Sequence, residues 1–195
     1  AVLITALGLW LFANAAAPDV LAQALSAQTG TGFSTIDIHA LDPQAKLVLI
    51  LSMVTGAGVG STAGGIKLLR VLILIRVIQI TLLRVHMPRH AVLEPELGGR
   101  PLRPEQIQHA LVVALLFLAV IICSWLPFIA AGYPPLDALF EVVSATATVG
   151  LSTGIAAPEL DPWLKGLLTL DMLAGRVEIV ALLVLLYPAT WHRPR

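Results

Sequence analysis

The sequence predicts an all-α membrane protein built from two helix–re-entrant loop–helix repeats. Three observations carry the prediction: the composition, an internal repeat, and short proline-started helices that run into Gly/Thr-rich segments. The chain is 57% hydrophobic and 12% charged, with a mean hydropathy of +0.89. A soluble domain carries about 25% charged residues, so lipid is the main solvent here. The single cysteine, Cys123, lies in an apolar run, which excludes an intramolecular disulfide and reads as a structural thiol.

The repeat has an offset of 118 residues. Asp19 matches Asp137, Leu21 matches Leu139, Ser26-Ala27 matches Ser144-Ala145, Gly32 matches Gly150, and Ser34-Thr35 matches Ser152-Thr153. After one inserted residue, Leu41-Asp42-Pro43 pairs with Leu160-Asp161-Pro162, Lys46 with Lys165, and Gly56 with Gly175. Matched Asp, Pro, Lys, Ser and Gly positions separate this from chance similarity in an apolar chain.

The elements follow in order. Ala1–Ala13 is apolar but shorter than the roughly 20 helical residues that cross a bilayer, and it lacks the basic flank of a signal peptide. It is expected to be the end of a spanning helix that begins earlier. Pro18-Asp19 opens a helix to about Ala27, with proline at the first turn, where its missing N–H costs nothing. About ten residues cannot span, so this segment is expected to be re-entrant. Gln28 to Ser34 then follows as irregular chain, tolerated at membrane depth only when buried in protein or lining water. The negative end of the short helix dipole would face that chain.

Asp42 as cap and Pro43 at the first position start the next helix, which runs to Thr55. Gly56, Gly58, Gly60, Gly64 and Gly65 then place five glycines within ten residues. At about 1 kcal/mol each relative to alanine, they interrupt the helix until Ile66. Broken spanning helices mark transport sites and gates. A nucleotide loop is a poor fit here. Leu68 occupies the position of the Walker hydroxyl, and Gly56-x-Gly58-x-Gly60 has the wrong last gap for a dinucleotide fingerprint. Lys67 reads most simply as a lysine whose long stem reaches the interface.

Arg84 to Gln108 is hydrophilic and rich in arginine and proline, a loop between spans. A long apolar helix runs from Glu105 to about Ala131. Leu136–Ala145 is the second re-entrant helix, Thr146–Thr153 the second irregular segment, and Asp161-Pro162 starts a last helix to about Pro188. Thr148-Val149-Gly150 matches the core of the carbonyl-lined filter with which potassium channels replace an ion's water shell. Arg176 and Glu178 stand mid-helix with Asp171 nearby, and charges at that depth face a cavity or a partner. One reading of Arg176 is a structural ion pair with Glu178 or Asp171. The other is a cation beside the path, bracing the glycine-rich break, since its repeat partner is Ala57.

Basic residues set an orientation. The Arg84–Gln108 loop and the tail carry six arginines, while the segments around the two irregular stretches carry seven acids and only Lys46 and Lys165 as cations. By the positive-inside rule, loop and tail are expected in the cytoplasm and both irregular stretches open outward. Acids there would concentrate cations. An enzyme is disfavoured: His39, His86, His90, His109 and His192 fall in or beside loops, and the spans contain no metal or nucleophile cluster. Nothing suggests nucleic acid as a partner. A non-conducting structural or assembly half-subunit is the alternative, because two loops alone cannot close a four-stranded filter.

The runs Gly60-Ser61-Thr62-Ala63-Gly64-Gly65-Ile66-Lys67, Thr31-Gly32-Phe33-Ser34-Thr35, Thr148-Val149-Gly150-Leu151 and Met172-Leu173-Ala174-Gly175-Arg176-Val177-Glu178 occur in order and cover nearly the whole chain. Together they resemble the C-terminal half of the Trk/Ktr potassium-uptake family. The resemblance implies two helix–pore loop–helix repeats, the third (truncated) and fourth of four, around a pseudo-fourfold ion pore. The third would span residues 1–85 and the fourth 109–195, joined by a cytoplasmic loop over 86–108. It implies that the backbone carbonyls of Gly30, Thr31, Gly32, Thr148, Val149 and Gly150 coordinate potassium, the transported ligand, with no cofactor in this chain. Gly56, Gly58, Gly60, Gly64 and Gly65 would form an intramembrane gating loop with Arg176 as its companion.

It further implies a homodimer in the lipid of a bacterial inner membrane. A cytoplasmic ring of nucleotide-binding TrkA/KtrA-like subunits would control it. One position departs from the pattern: Gly30 stands where the family's third filter usually has threonine, so a hydroxyl is lost or shifted to Thr31.

Overall fold

A computed structural model describes residues 2–12, 16–58, 60, 61, 63–85, 95–177 and 184. Proline places most helix starts. Helix α2 (Ala17–Thr29), α3 (Pro43–Thr55), α5 (Pro104–Ala130), α6 (Pro135–Thr146) and α7 (Pro162–Val177) each begin at or one residue before a proline. The ring fixes φ near its helical value, and the absent N–H would have no partner in the first turn. Helices α1 (Val2–Phe12) and α4 (Leu68–Val85) lack this signal.

Of the described helices, α5 is the one long and apolar enough to cross a membrane on its own, at 27 residues. Helices α1 and α3 are apolar but shorter, at 11 and 13 residues. Helices α3 and α4 are separated by the glycine-rich segment. The loop before α5 holds a small antiparallel hairpin, β1 (Glu96–Leu97) with β2 (Arg100–Pro101), turned by Gly98-Gly99. Its glycines, at φ +60° and +75°, supply the left-handed backbone that a two-residue hairpin turn requires.

Several boundaries differ from the sequence expectation. Helix α2 continues through Gln28 and Thr29, which were expected to be irregular chain. Helix α6 takes in Thr146, and α4 starts at Leu68, not Ile66. Asp42 holds the N-cap position of α3, but its side chain makes no capping hydrogen bond. Residue 178 and the tail lie outside the described residues, apart from residue 184, as does Thr62 of the glycine-rich run.

The helices pack in two groups of three. In the first, α1, α2 and α3 pack on one another; in the second, α5, α6 and α7 do. Helix α3 of the first unit rests on α6 of the second, and α4 lies along α5. The exterior is rich in large apolar side chains, and several polar ones lie inside. Leu3, Ile4, Leu51, Ile78, Leu82, Leu115 and Leu126 face outward, while Gln23, Gln28, Lys46, Glu141, Thr146 and Asp171 are buried. Water would favour the reverse arrangement, and apolar exteriors of this extent mark a membrane or partner surface. At the turn from α5 to α6, Trp125 Nε1 donates to the Pro135 carbonyl at 2.8 Å, and Phe128 stacks at an angle on Tyr133.

Candidate functional site

The short helices α2 and α6 both end in extended loops that leave in the same way. The Thr31 N–H donates to the Ser26 carbonyl at 3.1 Å, and the Val149 N–H to the Ser144 carbonyl at 2.9 Å, the same bond one repeat later. Such a bond closes a helix whose next residue is left-handed. Gly30 holds that position in the first unit, at φ +71°, and Thr148 in the second, at φ +52°. Threonine there is strained, by about 1–2 kcal/mol on the left-handed scale. Gly30 meets the same backbone demand with a smaller residue, so the departure at this position costs nothing in geometry. The Thr31 hydroxyl pairs with that of Thr29 at 2.6 Å, and Thr29 donates onward to the Leu25 carbonyl.

A second pair of matched contacts holds the far end of each loop. In the first unit Gln23 Oε1 accepts from Ser34 Oγ at 3.2 Å and from the Thr35 N–H at 3.3 Å. In the second, Glu141 Oε1 accepts from Ser152 Oγ at 2.5 Å, the Thr153 N–H at 2.8 Å and Thr153 Oγ1 at 3.1 Å. The residues correspond at the repeat offset. A carboxylate makes shorter, stronger bonds than an amide, so the second loop is clamped harder. In the sequence Glu141 is one of the seven acids around the irregular stretches, and Gln23 carries no charge to mark it. Their shared offset, with a polar side chain at the same place on each short helix, was the available signal.

The two loops lie side by side. Gly32, at φ +79°, is so close to the second loop that a Cβ there would overlap the Val149 carbonyl and stand 3.5 Å from the Gly150 Cα. The His39 ring reaches the Thr153 carbonyl at 3.2 Å, tying the end of the second loop to the first unit. So the six residues expected to present carbonyls, Gly30, Thr31, Gly32, Thr148, Val149 and Gly150, come together as two adjoining strands.

The glycine-rich segment divides. Gly56, Gly64 and Gly65 are packed backbone to backbone. A Cβ on Gly64 would overlap the Ala147 carbonyl and come within 2.8 Å of Thr148 Oγ1, and a Cβ on Gly56 would overlap the Gly64 carbonyl. Ala63 abuts Gly30. The segment therefore touches both loops where they leave α2 and α6. Gly58 and Gly60 have nothing within 4 Å of a Cβ and are exposed, so they share the segment without sharing the contact. The fold-back is held by the Ile66 N–H on the Val54 carbonyl at 3.0 Å and the Leu68 N–H on the Ala57 carbonyl at 3.1 Å.

Gln28 is the residue that joins loop to break. From the last turn of α2 its Nε2 donates to the Gly56 carbonyl, and its Oε1 accepts from Ser52 Oγ at 2.8 Å. In the second unit the same place is closed by contact: Gly175 of α7 lies so near the end of α6 that a Cβ would overlap the Thr146 carbonyl. Arg176 follows it. It lines a cavity of about 140 Å³ together with Ser61, Gly64, Gly65, Lys67 and Arg70. Arg176 and the glycine segment thus face one space. Asp171, considered as an ion-pair partner for Arg176, accepts from Ser124 Oγ at 2.7 Å through its Oδ1. Glu178, the other candidate, lies outside the described residues. Among the described residues no group of three or more His, Cys, Asp or Glu could hold a metal ion.

A family model described as a cation transport protein, TrkH, matches residues 13–192. An uncharacterized cation transporter of Methanocaldococcus jannaschii is 34% identical over 86% of this chain and 35% of its own length. The Trk system potassium uptake protein TrkH of Escherichia coli is 34% identical over 87% of this chain and 36% of its own. The crystal structure of the potassium transporter TrkH from Vibrio parahaemolyticus superposes with a TM-score of 0.83 at 28% identity, covering 98% of this chain and 42% of that one. The chain thus spans about a third of the length of the curated relatives it matches.

Proposed function

The chain belongs to the TrkH cation-transport family, and on that premise we propose that it forms the third and fourth pore repeats of a potassium-conducting membrane subunit. The single observation that carries this reading is the backbone-to-backbone contact of Gly32 with the Val149 carbonyl. It makes one surface from two loops that follow equivalent short helices. A filter needs that arrangement. Peptide oxygens of adjoining strands stand in for an ion's hydration shell, and glycine removes the side chains that would keep the strands apart.

In this reading the carbonyls of Gly30, Thr31, Gly32, Thr148, Val149 and Gly150 hold a dehydrated potassium ion. The Ala63–Gly65 stretch is the gate beneath them. It presses on the inner ends of both loops, and a shift there clears or blocks the path. Arg176 braces it across the shared cavity. Gly58 and Gly60 serve as joints on the exposed side of the segment, where free space lets the backbone turn. The loops open outward, and the hairpin-bearing loop and the tail lie in the cytoplasm. There they could meet a nucleotide-binding regulatory subunit, and two copies of the subunit form a homodimer.

The test is rubidium uptake in a cell lacking its own potassium-uptake systems. The gene carrying this chain is expressed from its own start. Saturable uptake, competed by potassium, supports the reading. Membrane-inserted protein with no uptake above background rejects it in favour of a structural, non-conducting subunit.

A further inference from the structure

The ion pair between the two units has a direction. Lys46, near the start of α3 in the first unit, reaches Asp137 in the first turn of α6 in the second, with Nζ 2.6 Å from the carboxylate and both side chains largely buried. The same ammonium is steadied by the His39 carbonyl, seven residues back, at 3.1 Å. Asp137 is the repeat partner of Asp19, and Lys46 that of Lys165. Lys165 is set in the same way as Lys46: its Nζ donates to the Pro158 carbonyl, again seven residues back, at 2.5 Å. It is exposed, and among the described residues no carboxylate lies within ion-pair distance of it. Asp19 sits in the first turn of α2, half-exposed, with no described cation in reach. One pair is therefore complete and each unit carries one unused half.

We propose that Asp19 and Lys165 are the two open halves of this inter-repeat clasp. Each docks a further pore repeat carried N-terminally in the same polypeptide. Applying the Lys46-to-Asp137 relation once more places a pore-helix acid of the next repeat against Lys165. Applying it backwards places a second-helix lysine of the preceding repeat against Asp19. The required chemistry is specific: an acid in the first turn of one re-entrant helix and a lysine one turn into another repeat's second helix. The relatives have room for such repeats, since the matched part is 36% of TrkH from E. coli and 42% of the solved V. parahaemolyticus chain. The inference rests on the four-repeat reading above. A ring of such pairs would also fix the register of the repeats, because a shifted neighbour would leave a desolvated charge unpaired.

The test uses the gene expressed from its own start and reads the melting temperature of the detergent-solubilised protein, apart from transport. Lys46→Glu is the internal standard, and it is checked by rescue with Asp137→Lys. Asp19→Lys and Lys165→Glu are expected to lower the melting temperature about as much as Lys46→Glu. The double variant Asp19→Lys/Lys165→Glu is expected to melt no higher than the worse single variant, because the two residues have different partners. If both single variants melt like the parent while Lys46→Glu does not, the clasp is overturned. If the double variant regains the parent melting temperature, Asp19 pairs with Lys165 of a second copy, and the assignment to the same polypeptide is overturned. Failure of the transport reading alone shows as absent rubidium uptake with these melting shifts intact.

Discussion

The Val149 carbonyl lies against the Gly32 Cα with no room for a methyl group between them. The two residues are more than a hundred positions apart, on different repeats, yet neither loop can be described without the other. Gly32→Ala adds a Cβ where φ is +79° and an oxygen already stands. The left-handed strain alone is about 1–2 kcal/mol, and the overlap adds to it. The variant is expected to lose rubidium uptake severalfold or more, because the two loops can no longer adjoin at this point. Gly166→Ala, on α7 with nothing within 4 Å of an added Cβ, should retain parental uptake. Equal uptake in the two variants, at matched membrane levels, would remove Gly32 from the conduction path.

Gly150 is the contrasting case. Its φ of +91° is glycine-like, but a Cβ there would meet only the Gly32 Cα, at 4.0 Å. Gly150→Ser should therefore insert and fold while altering the strand's carbonyl geometry. The expected outcome is a changed potassium-to-sodium uptake ratio, with a smaller change in expression than Gly32→Ala. A parental ratio would count against the filter assignment.

Glu141 predicts a graded series. Glu141→Ala leaves the Thr153 N–H without the acceptor it has now, and a hydrogen bond to a charged group contributes about 1.5–3 kcal/mol. Glu141→Gln reproduces the amide of Gln23 and should cost less, about 1 kcal/mol. Thermal melting in detergent should order parent above Gln above Ala. A melting curve unchanged by the alanine substitution would show that the clamp contributes nothing.

Arg176 borders the same cavity as Gly64 and Gly65. Arg176→Gln keeps a polar side chain and removes the charge. Basal rubidium flux, measured without regulatory subunits, should rise severalfold if the guanidinium holds the segment in place. Flux at or below the parent's in a well-expressed variant would assign Arg176 to structure alone.

Much of this was legible in the sequence because it depends on local chemistry. Pro18, Pro43, Pro135 and Pro162 announce helix starts whatever surrounds them, and the repeat offset aligned Gly32 with Gly150 before any geometry was known. Other features depend on tertiary contact. Gln28 and Thr29 read as loop because glycines follow at once, but Gln28 is held in helix by its bonds to Ser52 and Gly56. The glycine run looked uniform, yet only the members facing Ala147, Met53 or one another are packed. The pairing of Lys46 with Asp137 joins residues 91 positions apart, and the repeat alone could not say which lysine meets which acid.

The unequal anchoring by Gln23 and Glu141 has a mechanical consequence. Two weaker bonds steady the far end of the first loop and three stronger ones steady that of the second. A ring assembled from such parts is stiff on one side and yielding on the other. Warming or ion depletion should let amides around Ser34 and Thr35 exchange with solvent deuterium before those around Ser152 and Thr153. An entering cation would then meet one compliant wall able to adjust to its radius and one firm wall that sets the gauge.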